Sequence, residues 1–268
     1  VAMEKSPTEA DYFVLLGRIC LETAQIEPAI IAFEKATEFD AELPDPRYYL
    51  GIINERLERP DRAAMRYLEA YERDRETPQY LTAAAEVLVG EGRLAEAEEI
   101  LTRDLDRHQN NAAIHHLGGK VALLRGQWTE AVNCLQRAVL LDEEDRWMVE
   151  DLARAQLAAG HHSDCLASIR QLQELLDEGE GQIEIDRMRA RCLADARRWR
   201  EAHKVLYELT TDHPEDIDAW IDLGLVCREI GDHRRLQKSA KRVIALDPHR
   251  FEGYFLSGCA AVEGGDLE

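Results

Sequence analysis

Small and apolar residues return along this chain at one spacing. A small residue following or lying near a Leu stands at Gly17, Gly51, Ala85, Gly119, Ala153, Ala190, Gly224 and Gly258, in steps of 34, 34, 34, 34, 37, 34 and 34. Twelve positions after each comes a second small column, Ala29, Ala63, Ala97, Ala131, Cys165 and Ala202, which Leu236 breaks. Four positions further on stand larger residues, Phe33, Tyr67, Leu101, Leu135, Ile169 and Leu206, with Ala240 as the exception. A last column holds Ala36, Ala70, Ala138, Leu172, Leu209 and Val243, with Asp104 as its outlier. Apolar residues three and four apart lie on one face of a helix, so each unit predicts two amphipathic helices, A and B. Gly92, Gly126, Gly160, Gly231 and Gly265 fall between them, where a residue free to take positive φ ends helix A. The small columns let two helix backbones approach, and the large column fills the space between them.

One such pair cannot bury its own apolar faces, so neighbouring pairs must stack. The expected fold is all-α: a right-handed superhelical α-solenoid of tandem antiparallel helix pairs with a concave face. The pattern resembles the tetratricopeptide repeat, carried by Leu16-Gly17 with Ala29, Phe33 and Ala36, and by Trp220, Leu223-Gly224 and the closing Asp247-Pro248. The likeness extends over nearly the whole chain. It implies a scaffold that binds a partner's peptide or helix.

Counting by the repeat, residues 1–9 read as the tail of a preceding unit and 10–179 as five units. Residues 180–182 form a short insertion, 183–250 two more units, and 251–268 helix A of a truncated eighth. The cut ends suggest a window of a longer protein, against the alternative of a naturally short final unit. The insertion explains the 37-residue step, because Asp177 to Gln182 offers no apolar residue to pack. It reads either as a hinge between sub-arrays or as a plain loop insertion.

Charge narrows the partners. There are 33 Lys and Arg against 53 Asp and Glu, a formal net charge of −20, which repels a phosphate backbone and argues against nucleic-acid binding. No apolar run reaches the length of a membrane-spanning helix. The six cysteines stand singly, with no CxxC pair, which points to a reducing, cytoplasmic compartment.

Packing claims one side of each helix A, and the other side, expected to line the concave groove that takes the partner, is left for function. Its fifth and ninth positions give Tyr48 and Ile52, His116 and Lys120, Glu150 and Arg154, Arg187 and Arg191, Ile221 and Leu225, then Phe255 and Cys259. His116, Lys120, Arg154, Arg187 and Arg191 make a basic stripe in an acidic chain. Guanidinium groups suit carboxylates. The stripe is flanked by Val14, Leu21, Tyr48 and Ile52 on one side and by Ile221, Leu225 and Phe255 on the other. An acidic partner segment with apolar anchors fits this arrangement. The competing reading pairs the cations with Glu150, Asp151 or Glu184 across adjacent helices.

Other constellations are weak. Some tetratricopeptide proteins grip a chaperone's C-terminal carboxylate with a Lys/Asn/Asn/Lys/Arg clamp. Here His116 and Lys120 are followed by Asp151, Glu184 and Met188, so that clamp is not expected. His115-His116 and His161-His162 lack partners at zinc spacing, and Cys20 and Cys227 share a packing column. Trp147 and Trp220 read as packing or edge aromatics. No catalytic motif, metal site or cofactor is expected. The reading is a non-catalytic protein-interaction scaffold. Its alternative is the substrate-recognition arm of a larger glycosyltransferase or sulfotransferase, and its uncapped ends suggest weak self-association.

Overall fold

The computed structural model describes residues 8–176 and 181–264. Among the described residues the chain forms helices and turns and no strand. It divides into two compact units, one running to Asp142 and the other starting at Glu143. The first holds α1 (Glu9–Glu22), α2 (Ile26–Phe39), α3 (Asp45–Arg56), α4 (Pro60–Arg73), α5 (Pro78–Gly90), α6 (Leu94–Arg103), α7 (Ala112–Leu124) and α8 (Trp128–Leu141). The second holds α9 (Arg146–Ala158), α10 (His162–Leu175), α11 (Gln182–Asp195), α12 (Trp199–Asp212), α13 (Ile217–Ile230), α14 (His233–Leu246) and α15 (Phe251–Gly264). Odd-numbered helices are the A helices, and even-numbered ones are the B helices. Thr8 caps α1, so Glu9 opens that helix, while residues 1–7 of the expected preceding tail lie outside the described residues. The same holds for residues 177–180, the last of which opens the expected insertion, and for Gly265.

Local chemistry sets the helix starts. Asn111, Asp145, Asp216 and Asp232 each accept a backbone N–H of the first turn, satisfying donors that have no intrahelical partner. Proline opens α3, α4 and α5, where its missing N–H costs nothing. Helix A ends in the left-handed conformation at a fixed place in each described unit. Gly92, Gly126, Gly160 and Gly231 take φ of 71° to 75° there. The same place is held by Ala24, Glu58 and Arg197, at φ of 55° to 57°. The turn geometry is therefore kept even where glycine is not.

The repeated columns build the core. Ala29, Ala63, Ala97, Ala131, Cys165 and Ala202 are fully buried, as are Phe33, Leu135 and Ile169. A Cβ on Gly17 would lie 2.6 Å from the Phe33 ring, and one on Gly119 would collide with Leu135. The irregular seventh unit compensates across helices. Leu236 takes the small column and Ala240 the large one, and both are buried. The space over Gly224 is then filled by Leu256 of α15, 2.7 Å from where a Cβ would stand.

The outlier Asp104 marks a shortened helix. α6 ends at Arg103, and Asp104 is buried beside it, paired with Arg103 Nε at 2.9 Å. Buried His108 follows in the turn and meets the Tyr71 hydroxyl at 3.0 Å. Burial pushes the Tyr71 phenol up to about 12.

Candidate functional site

In the first unit a tyrosine–carboxylate cluster joins residues of the A helices α3 and α5 to Tyr67 of the B helix α4. Tyr48 and Ile52 of α3 are half-buried. The Tyr48 ring lies 5.4 Å from that of Tyr67 and 5.3 Å from that of Tyr80, and its hydroxyl accepts from Gln79 Nε2 at 2.8 Å. Tyr67 donates to Glu55, and Tyr80 donates to Asp45 at 2.8 Å. These phenols are held protonated mainly by burial, reinforced by the carboxylates they face. Desolvation and the nearby Glu55 push the Glu86 carboxyl above its usual range, against the pull of Lys120 and His116. His116 and Lys120, both half-buried, therefore share an electrostatic field with Glu86. Leu21, read as a flank of the groove, belongs to the core instead, because it is 7% exposed.

In the second unit the cations are answered by carboxylates. Arg154 pairs with Glu150 one turn earlier on α9. Arg187 Nη2 donates to Asp216 Oδ2 at 2.9 Å, and its Nη1 lies 3.5 Å from Asp218. Arg191 Nε donates to Asp222 at 3.1 Å. Arg250 closes the row, donating to the other oxygen of Asp218 at 2.5 Å. So α11 is joined by alternating charges to α13 and its N-cap, and the partners of Arg187 and Arg191 come from there rather than from Glu184. Burial raises the Asp222 carboxyl above its ordinary value, and Arg191 opposes that rise. Periodicity could have singled out Asp218, at the second position of its unit, but not Asp216 or Asp222.

Beside the aspartates, Ile221 and Leu225 are half-buried, and Leu225 lines a cleft of about 260 Å³ together with Arg191, Asp222 and Arg228. Phe255 is exposed on α15, next to exposed Phe251. Arg154 and Arg191 keep the freest side chains of the predicted stripe, at 53% and 54% exposure.

Among the described residues no group of three or more His, Cys, Asp or Glu is placed to hold a metal ion. His115 is buried, with Nε2 2.9 Å from the Gln109 carbonyl, and Cys20 and Cys227 are core residues. Trp220 is buried and donates its indole N–H to the Pro214 carbonyl at 3.0 Å, whereas Trp147 is exposed under the Arg146 guanidinium. No helix among the described residues is long and apolar enough to cross a membrane.

The fold defines a class, the helix-pair repeat arrays. Residues 10–43 match the sequence model of the tetratricopeptide repeat, so the first unit opens with that repeat and the helix pairs after it continue the same fold. The C-terminal part of a tetratricopeptide repeat-containing protein of Cytophaga hutchinsonii is similar at a TM-score of 0.69 and 14% identity, over 91% of this chain and 98% of that one. PilF of Pseudomonas aeruginosa is similar at 0.59 and 16% identity, over 77% and 92%. YrrB, described as a tetratricopeptide protein with an unusual peptide-binding site, gives 0.51 and 18% identity, over 85% and 98%. No curated protein sequence matches the chain.

Proposed function

We infer that this chain is a non-catalytic scaffold that holds a peptide or helix of another protein against the outer side of its A helices. The observation that carries this reading is what packing leaves over. The core consumes the repeated columns, while Tyr48, Ile52, His116, Lys120, Ile221 and Leu225 stay half-exposed and Arg154, Arg191 and Phe255 stay exposed. Repeat arrays share packing residues, and their partners read the residues packing does not use. YrrB, which shares the fold, is described as binding a peptide.

Arg154, Arg187 and Arg191 suit the carboxylates of an acidic segment, with Glu150 holding the first guanidinium and Asp216, Asp218 and Asp222 the other two until a partner competes for them. The Arg191 side chain is 54% exposed, so a partner's carboxylate can reach it without displacing Asp222. The six free cysteines favour a reducing, cytoplasmic setting.

The test is affinity capture from cell extract with the whole chain as bait, against the Arg154→Glu/Arg191→Glu variant. Loss of acidic partners by a variant with unchanged helical signal supports the cations as contacts. Identical partners on both baits would remove the cations from the reading, and a lost helical signal would make them structural.

A further inference from the structure

The A-helix side is not where this acidic chain concentrates unanswered positive charge. That place is α14, whose sequence HRRLQKSAKRVIAL contains no carboxylate. We propose that the cleft between α12 and α14 binds an extended acidic segment of a partner protein, with a carboxylate at every second residue.

The cleft encloses about 1080 Å³ and is lined from α14 by Arg234, Arg235, Lys238, Lys241 and Arg242. Trp220 and Leu223 of α13 contribute apolar lining. Asp232, its one carboxylate, is already paired with Arg235 at 2.7 Å. Among the described residues Arg234 and Lys241 have no ion pair. Lys238 lies over the Trp220 ring at 5.8 Å and Arg235 over Tyr207 at 5.4 Å, contacts that orient the cations without neutralising them. Arg242 donates through Nε and Nη2 to the Pro214 carbonyl at 3.2 and 3.1 Å, tying α14 to the turn before α13. Ser239 is fully buried in the lining, and its hydroxyl has no hydrogen-bond partner.

Packing does not demand this charge. The corresponding cleft of the first unit, between α4 and α6, is about 540 Å³ and is lined by Asp61, Glu69, Glu72, Glu96 and Glu99, with Arg73 and Arg93. The same position between two B helices is acidic in one unit and basic in the other.

Geometry selects the ligand. Arg234, Lys238 and Arg242 stand four residues apart, about 6 Å along the helix. Alternate residues of an extended segment are about 6.6 Å apart and face the same way, so every second carboxylate meets the next cation. A continuous polyphosphate is disfavoured by the net charge of −20 on the chain as a whole. Its cations all belong to α14, a B helix that the A-helix reading does not use, so the site stands whether or not that reading holds.

The probe is a fluorescein-labelled octapeptide alternating Glu and Ser, followed by fluorescence anisotropy with the whole chain. Binding should weaken about tenfold or more in Lys238→Glu/Lys241→Glu, and less in Lys238→Gln/Lys241→Gln. Arg154→Glu/Arg191→Glu should leave it unaltered. Equal binding by wild type and Lys238→Gln/Lys241→Gln would overturn the proposal. So would equal binding of a peptide with its four Glu in one block, or stronger binding of oligothymidylate.

Discussion

Leu256 occupies the space that a side chain on Gly224 would need, its Cδ1 lying 2.7 Å from the position of a Cβ there. In the first unit this space is filled from the paired helix B, by Phe33 over Gly17 and by Leu135 over Gly119. In the seventh repeat it is filled from the following helix A, because Ala240 is too small to reach. Leu256→Ala is therefore expected to cost about 2–5 kcal/mol, as a buried leucine that leaves a cavity does. Urea unfolding measures it. A cost near zero would mean that neighbouring side chains close the gap.

Ala24, Glu58 and Arg197 hold the left-handed conformation that glycine holds in the other described units, and all three are exposed. A side chain costs about 1–2 kcal/mol in that region, and glycine returns about 0.5–1 kcal/mol as lost chain entropy. Each change to Gly should then stabilise by about 0.5–1 kcal/mol, read as a higher melting temperature. Gly126→Ala, at φ of 75°, should do the reverse.

Arg187 and Arg191 carry the same charge but should differ in stability. Asp216 caps α13 through Oδ1 and receives Arg187 on Oδ2, and its side chain is 9% exposed. Removing a donor from a carboxylate so enclosed costs about 1–3 kcal/mol. Arg187 is 27% exposed and bridges Asp216 and Asp218, whereas Arg191 is 54% exposed and pairs with Asp222 alone. Arg187→Gln should thus lower the unfolding midpoint more than Arg191→Gln, and equal losses would show that burial of Asp216 is not what matters.

Glu86 makes the first unit sensitive to pH. Its folded-state pKa is raised above 4.5 by desolvation and by Glu55, so the folded state binds this proton more readily than the unfolded chain. The charged form therefore destabilises the fold above that raised pKa, and the penalty fades as pH falls toward 4.5. Glu86→Gln should raise the melting temperature at neutral pH, with the gain shrinking in acid. A gain that does not depend on pH would trace the effect to something other than ionisation.

Much of this molecule was readable from the order of its residues. The columns from Gly17 to Gly258 predicted helix pairs, their packing contacts and the turn at Gly92, Gly126, Gly160 and Gly231, because a helix of fixed pitch turns sequence spacing into a face. The same columns marked the seventh unit as irregular through Leu236 and Ala240, without saying what replaced the missing contact. That answer came from Leu256, on the next helix. The site was less legible. Sequence spacing placed Arg187 and Arg191 on an outward face, but their ionic partners Asp216, Asp218 and Asp222 lie 29 to 31 residues away. Long polar side chains choose their partners by rotamer and distance, neither of which a repeat period specifies. The basic cleft beside α14 escaped for a related reason, since it exists only where two B helices stand apart over Trp220. Apolar burial needs only the right face, and the sequence determined that face; charge pairing needs atoms within a few ångströms, and only the tertiary structure decided those.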